Sequence, residues 1–439
     1  MKRVKLFLLM ALTLTVLVAC GGNGGNSDDG TGAWSSDLPA FTDAGIDWRA
    51  HEGETVTIGI WGGSDAEVAT RPKLFEAFYE LTGITVEERI YADFLVNLQA
   101  DLIGGIAPDV FYVDANVFPS LQADGVLMNL DDLIANTPDF NLSDFYPSVL
   151  EAFEHEGSVY GIPKDFSTLG LLYNVELLAL AGLTPADIPD EMASMPAFLA
   201  ELATGLPSNV TPGVIDAGLA RHVFALEASG MPIMDEAGLA VLDQDNQLNY
   251  MQLLVEAYQA GHLDTPAGLG NDWSGDSFGL ENVAVMIEGN WAVAHVQQNF
   301  PAVNFGVREL PTTNGSQGSM VFTVAWSINA ATDNLGPAWL FTNYVNGVEG
   351  MAIMAEGASL LPSRMSVANQ LDITSDPIMA PFAAAGAYAT PWQHGINLPI
   401  VDREYGNFFP GALSGELTLL EAMQEIMRVA NNEIETHMQ

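Results

Sequence analysis

Between Thr55 and Val113 the chain switches back and forth between two apolar periodicities, and few folds accept that pattern. Thr55-Val-Thr-Ile-Gly-Ile-Trp61 is apolar at 56, 58 and 60, the alternation of a strand. From about Thr70, with Pro72 in the first turn, Leu74, Phe75, Phe78 and Leu81 fall on one helical face, and Thr82-Gly83 ends it. Ile84 to Arg89 reads as a second strand, Asp93 to Ile103 as a second helix, and Pro108-Asp109-Val-Phe-Tyr-Val113 as a third strand. Strands that alternate with helices pair in parallel through right-handed crossovers, so the fold class is α/β. Ligands of such sheets sit beyond the carboxyl ends of the strands. Trp61, Asp65, Asp114 and Asn116 follow two of those ends and point to one crevice.

Further along, Pro163 restrains an extended segment and Leu169 to Tyr173 is apolar enough for a buried strand, with Lys164 and Asp165 just before it. The plain expectation for Lys164 is an ion pair with Asp165. Val283 to Ile287 is another short apolar strand. Glu288-Gly289-Asn290 then reads as a turn that delivers Trp291 to the mouth of a pocket. Val321 to Asn329 is a strand containing Trp326, and Trp392 sits on a loop between Pro391 and Gln393. The last helix opens on a capping box, Thr418-Leu-Leu-Glu421, and its expected buried stripe is Leu420, Met423, Met427, Ala430 and Ile434.

The amino terminus is built for export. Lys2, Arg3 and Lys5 precede an apolar run from Leu6 to Val18 that is short for a bilayer span. Small residues before Cys20, the sole cysteine, resemble a bacterial lipobox, so cleavage and acylation at Cys20 are expected. With one cysteine no internal disulfide forms. Residues 1–19 are read as a lipoprotein signal peptide and residues 20–50 as a flexible tether, with Trp34 and Trp48 in or near it.

Charge narrows the partners. Net charge is −43, and loss of three leader bases and no acid takes it to 10 − 56 = −46. Nucleic acid and anionic headgroups are poor partners for that surface. A strongly solvated exterior is the plain reading, and a cationic ligand the sharper one.

An ordered set of short stretches resembles the extracellular solute-binding proteins of bacterial ABC importers, in the sugar-binding, maltose-binding-protein-like group. They are Asp47-Trp48 with Glu52-Gly-Glu-Thr-Val-Thr-Ile58 leading into Trp61, Thr82-Gly-Ile-Thr-Val86, Ala107-Pro-Asp-Val110, Gly125-Val-Leu-Met-Asn-Leu130 and Tyr160-Gly-Ile-Pro163 with Leu172-Tyr-Asn174. Ala284-Val-Met286 with Gly289-Asn-Trp291, Phe305-Gly-Val307 with Leu310-Pro311, and Val324-Ala-Trp-Ser-Ile-Asn329 complete the set. The resemblance implies two hinged lobes joined by three crossings, the third at Leu361-Pro362-Ser-Arg364. It places residues 51–163 plus 325–362 in lobe 1 and 164–324 plus 363–439 in lobe 2. It also implies a carbohydrate ligand handed to membrane permease subunits by a lipid-anchored monomer, with Trp291 stacking on the sugar. An indole covers the apolar face of a sugar ring while acids and amides bond its rim. Trp61, Asp65, Asp114, Asn116, Asp165, Asn290, Trp291, Trp326 and Trp392 are the expected contacts.

Two alternatives stay open. The same acids and indoles suit a polyamine or other cation. Gly275-Asp-Ser277-Phe-Gly279 matches the spacing of a nucleophile elbow, but that elbow needs a strand before it and a helix after, whereas a loop precedes it here. The seven histidines show no metal spacing, and no cofactor is implied.

Overall fold

A computed structural model describes residues 41–42, 45–63, 65–228, 230, 232–358 and 360–437. The signal peptide, Cys20 and Trp34 lie outside them.

Eleven strands form one sheet, and the lobes are its two ends. In the first half of the chain come β1 (Thr55–Ile60), α1 (Asp65–Thr82), β2 (Thr85–Ile90), α2 (Phe94–Gly104), β3 (Val110–Asp114) and the long β4 (Ile162–Asn174). The middle supplies α3 (Met195–Gly205), β5 (Thr211–Val214), α4 (Asp245–Gln259), β6 (Leu263–Asp264), β7 (Val283–Gly289), α5 (Trp291–Asn299) and β8 (Phe305–Arg308). The remainder is β9 (Met320–Ile328), α6 (Leu335–Val345), α7 (Val348–Ala358), β10 (Leu361–Pro362), α8 (Ala380–Ala385), β11 (Thr390–Pro391), α9 (Leu398–Ser414) and α10 (Leu419–His437). Strand order along the sheet is β6-β5-β7-β4-β9-β3-β1-β2, with β8 and β10 also on β4 and β11 on β9.

The expected parallel pairing holds at both ends, β2-β1-β3 and β6-β5-β7. β4 and β9 join antiparallel because each arrives from the opposite lobe. β4 has 13 residues because it serves both ends. Its Ile162–Thr168 part pairs with β9, and its Leu169–Tyr173 part pairs with β7. β10 pairs with Asp165 and Phe166 of β4, so a third segment passes the same waist.

Each end has its own core. Val56, Ile58 and Ile60 of β1 pack with Phe78, Trp326, Trp339 and Phe341 in lobe 1. Leu171, Leu199, Val255, Tyr405, Phe409 and Ile434 pack in lobe 2.

Four local expectations change. Residues Trp48 and Arg49 belong to lobe 1 and not to the tether: Trp48 lies edge-on to Tyr344 at 6.2 Å, and Arg49 Nη2 donates to the Glu80 carbonyl. α1 starts at Asp65, so Pro72 lies inside the helix. β7 runs on through Glu288 and Gly289, so the expected turn shrinks to Asn290, and Trp291 opens a helix. In α10 the buried residue at the start is Leu419, while Leu420 is exposed; the capping box forms as expected, with Glu421 accepting from the Thr418 amide and the Thr418 hydroxyl.

Candidate functional site

Strand register builds the site. Cross-strand partners point to the same face, and so do residues two apart along a strand. Val324 of β9 faces Asp114 on one side and Asp165 on the other. Two positions on, Trp326 faces Tyr112. Two positions back, Phe322 faces Ser167. One face of the waist therefore carries, from lobe 2 to lobe 1, Phe322 and Ser167, then Asp165, Val324 and Asp114, then Trp326 and Tyr112.

Side chains from both lobes extend this row. Trp61, just past β1, is half-buried, edge-on to Phe94 at 5.0 Å and tilted against Tyr112 at 4.7 Å. Asp114 accepts from the Asn116 amide at 3.1 Å, and burial pushes its carboxyl up. Lys164 reaches Glu67 at 3.4 Å, bonds Asp165, and lies 5.2 Å from the Tyr112 ring centre. Burial pushes the Asp165 carboxyl up against the pull of the Lys164 ammonium. Burial also works against the Lys164 charge, but Asp165, Tyr112 and Glu67 outweigh it and hold the ammonium protonated. The lobe 1 wall thus carries Glu67, Asp114 and Asp165, with the Lys164 ammonium fixed among them and the buried Arg71 guanidinium beside it.

From lobe 2, Trp291 lies edge-on to Phe322 at 5.4 Å and 5.2 Å from the Arg221 guanidinium. Its ring folds back over Gly289, where a Cβ would stand 2.1 Å from the ring. Gly289 is therefore the floor that lets the indole sit here. A loop from lobe 2 also reaches lobe 1, where Gln393 Nε2 donates to the carbonyls of Ala115 and Ala152 at 2.9 and 2.7 Å.

The sequence expectations divide accordingly. Trp61, Asp114, Asn116, Asp165 and Trp291 are gathered at one waist. Asp65 opens α1 there, and its side chain is outside what is described. Asn290 is buried and its side-chain oxygen accepts the Thr168 amide at 3.1 Å, so it splices β4 to the end of β7. Trp326 is a correction: only 3% exposed, it packs on Tyr112 and Phe341 in the lobe 1 core. Trp392 is also buried, against lobe 2, with its amide held by the Val321 carbonyl. Sequence reasoning missed Glu67, Arg221, Phe322 and Gln393. Phe322 was legible, being in phase with Val324 and Trp326, but the other three carry no local signal.

Two cavities lie elsewhere. A groove of about 480 Å³ runs between α5 and α7, lined by Asn290, Val293, Gln297, Ala355, Glu356 and Leu360 among others. Of the expected contacts only Asn290 lines it. A largely apolar cavity of about 70 Å³ lies in lobe 2 beside Arg221 and His222, too small for a sugar ring.

Ser277 sits in a six-residue helix, fully buried, accepting from Asn271 Nδ2 at 3.0 Å. Without a preceding strand or an exposed hydroxyl, the elbow geometry is absent.

Beside the loop that carries Gln393, His394 Nδ1 lies 3.5 Å from Glu227 Oε1. Burial pushes the Glu227 carboxyl up to about 7 and the His394 imidazole down to about 4. A neutral acid donating to a neutral imidazole fits both shifts. Glu227 in the folded chain keeps its proton to higher pH than in the unfolded chain, so it favours folding at low pH and that contribution fades between pH 4.5 and 7. Glu227→Gln is expected to be more stable than the parent at pH 8 by about 2–3 kcal/mol, with little difference at pH 5. Urea unfolding at the two pH values checks this, and equal differences at both would contradict it.

A family model described as bacterial extracellular solute-binding protein matches residues 73–381. The erythritol/L-threitol-binding protein of Mycolicibacterium smegmatis is 24% identical over 387 residues, covering 81% of this chain and 79% of that protein. The maltooligosaccharide ABC transporter solute-binding lipoprotein of Streptococcus pneumoniae is 25% identical over 297 residues, 65% of this chain and 66% of that one. Among solved structures, the sugar-binding protein MalE from Xanthomonas citri superposes with a TM-score of 0.78 at 16% identity, covering 87% of this chain and 98% of that one. The GacH receptor of Streptomyces glaucescens, solved unliganded and with acarbose, gives 0.71 at 24% identity, covering 85% and 97%. The fold is that of two-lobed periplasmic binding proteins, and with 309 of its 439 residues matched (381 − 73 + 1), the chain belongs to the bacterial extracellular solute-binding protein family.

Proposed function

We propose that this chain binds a carbohydrate at the waist between its lobes and hands it to the permease of an ABC importer. The single observation that supports this best is the row of groups on one face of the shared sheet. Indoles from opposite lobes, Trp61 and Trp291, flank the carboxyls of Asp114 and Asp165. Flat apolar rings with hydrogen-bond acceptors between them match the two surfaces of a sugar ring. The named relatives bind a polyol or maltooligosaccharides, which are neutral and rich in hydroxyls. A ligand that touches both lobes favours the closed form by the difference in its affinity for the two forms. Asp65, Asn116 and Asn290 complete the proposed contact set, Asn290 by holding the strand end in place.

A cation is the second reading, favoured by the acidic lobe 1 wall. Against it, Lys164 already neutralises part of that wall. Acylation at Cys20 would tether the binding body to the membrane, and the chain should then partition with membranes unless Cys20 is replaced by Ser. The family and the buried Ser277 support reading the chain as a transport protein without turnover.

Thermal melting against maltotriose, maltotetraose, mannobiose, erythritol, spermidine and putrescine separates the readings. Saturable stabilisation by a sugar or polyol, about 3 kcal/mol at a hundredfold excess over Kd, is the expected result. Stabilisation by the amines alone would replace it with the cation reading.

A further inference from the structure

We infer that Arg221 is a positioning residue for Trp291, locked by a buried Glu288, and that this pair pre-sets the lobe 2 stacking surface before any ligand arrives. The inference rests on the carbohydrate reading of the site. Arg221 Nη2 lies 2.9 Å from Glu288 Oε1, and its Nε donates to the same oxygen at 3.1 Å. The guanidinium sits 5.2 Å from the Trp291 ring centre and 5.5 Å from that of Phe322. Glu288 is 1% exposed, so its charge needs a fixed partner. A forked guanidinium is rigid where an ammonium is not, and it stacks on aromatic faces while both its hydrogen bonds stay made.

The economy of the stretch supports the assignment. Glu288 anchors Arg221, Gly289 leaves room for the indole, and Trp291 supplies it, all within four residues. Arg221 comes from a separate short turn, Leu219–Arg221. It therefore closes the third side of a frame whose other sides are Gly289 and Phe322. An aromatic side chain held in one rotamer loses less freedom on stacking than one that swings, which is worth about tenfold in affinity. Arg221 acts here on the ring and not on the ligand.

The test uses the full chain labelled with 5-fluorotryptophan, its Trp291 fluorine resonance assigned with Trp291→Phe. The double variant Arg221→Met, Glu288→Leu removes both charges and leaves no lone buried carboxylate. The expected result is a shifted or broadened Trp291 resonance with the other tryptophan signals in place. A tenfold rise in the Kd for maltotriose, or for erythritol if that is the probe that binds, accompanies it. Arg221→Lys should recover part of both effects, since it keeps a cation beside Glu288. A Trp291 resonance unchanged in position and width in the double variant overturns the positioning role. If the double variant fails to fold, the resonance of Arg221→Lys carries the same decision, because loss of the planar fork alone must move it. Unchanged sugar affinity in Trp291→Ala instead overturns the stacking reading beneath the inference, so the two failures are distinguishable.

Discussion

Trp291→Ala is expected to raise the Kd for the bound sugar about a hundredfold, close to 3 kcal/mol, while leaving the fold intact. The ring is only part-buried, so removing it opens no sealed cavity in either core. What is lost is the proposed stacking surface, the ring that lobe 2 contributes to the waist. Removal also frees Arg221 from one of its two aromatic neighbours, but its bonds to Glu288 remain. The expected signature is a large affinity change beside a small change in melting temperature. Calorimetric titration of parent and variant reads the first, and a thermal melt reads the second. Affinity within twofold of the parent would remove Trp291 from the site.

Lys164→Met should have the opposite signature, a large loss of stability. Lys164 is a fixed cation of the lobe 1 wall, with Asp165 and Glu67 against it and all three side chains mostly buried. Taking it away leaves the buried Asp165 carboxylate without the ammonium that bonds it, with Glu67 nearby. Breaking a buried pair by deleting one partner costs about 3–5 kcal/mol. The pH dependence gives a second check. In the parent, the folded-state pKa of Lys164 is raised, so its contribution is present through neutral pH and is lost only as pH rises past the ordinary lysine range. In the variant, the buried Asp165 carboxyl keeps its proton to higher pH than in the unfolded chain, so the deficit at pH 7 shrinks as pH falls toward 4.5. Removing Asp165 as well, as Lys164→Met with Asp165→Leu, should recover much of the loss. Urea unfolding at pH 7 and 4.5 measures all of this, and a deficit under 1 kcal/mol at pH 7 would contradict it.

The lobe 1 end of the sheet was legible because strand and helix periods differ sharply and alternate over about sixty residues; at the other end β5 and β6, four and two residues long, are too short to show a period. The waist was legible in part. A run of apolar residues marks β4 and β7 as strands, but pairing with two partners along one strand leaves no local trace, so the 13-residue length of β4 had to be seen. Trp326 and Phe322 lie in phase on β9, and periodicity cannot say which end of the strand a helix covers. α1, α6 and α7 cover the Trp326 end. The shift from Leu420 to Leu419 is of the same kind, a one-residue change in which side of a helix meets the core. Glu288-Gly289-Asn290 resembles a turn in composition, yet Glu288 and Gly289 stay in the ladder to β4, and Glu288 pairs with an arginine 67 residues away. Arg221, Glu67 and Gln393 were invisible for the same reason: each acts through a partner far off in sequence.

The most direct test of the account is the distance between the lobes with and without ligand. Spin labels on cysteines placed at Val96 in lobe 1 and Leu420 in lobe 2, both exposed and remote from the waist, in a Cys20→Ser background, report it by pulsed resonance. A shorter, narrower distance distribution is expected on adding the sugar or polyol that stabilises the protein, and no such change in Trp291→Ala at the same concentration. A distribution that ignores every sugar and shortens only with spermidine would contradict it.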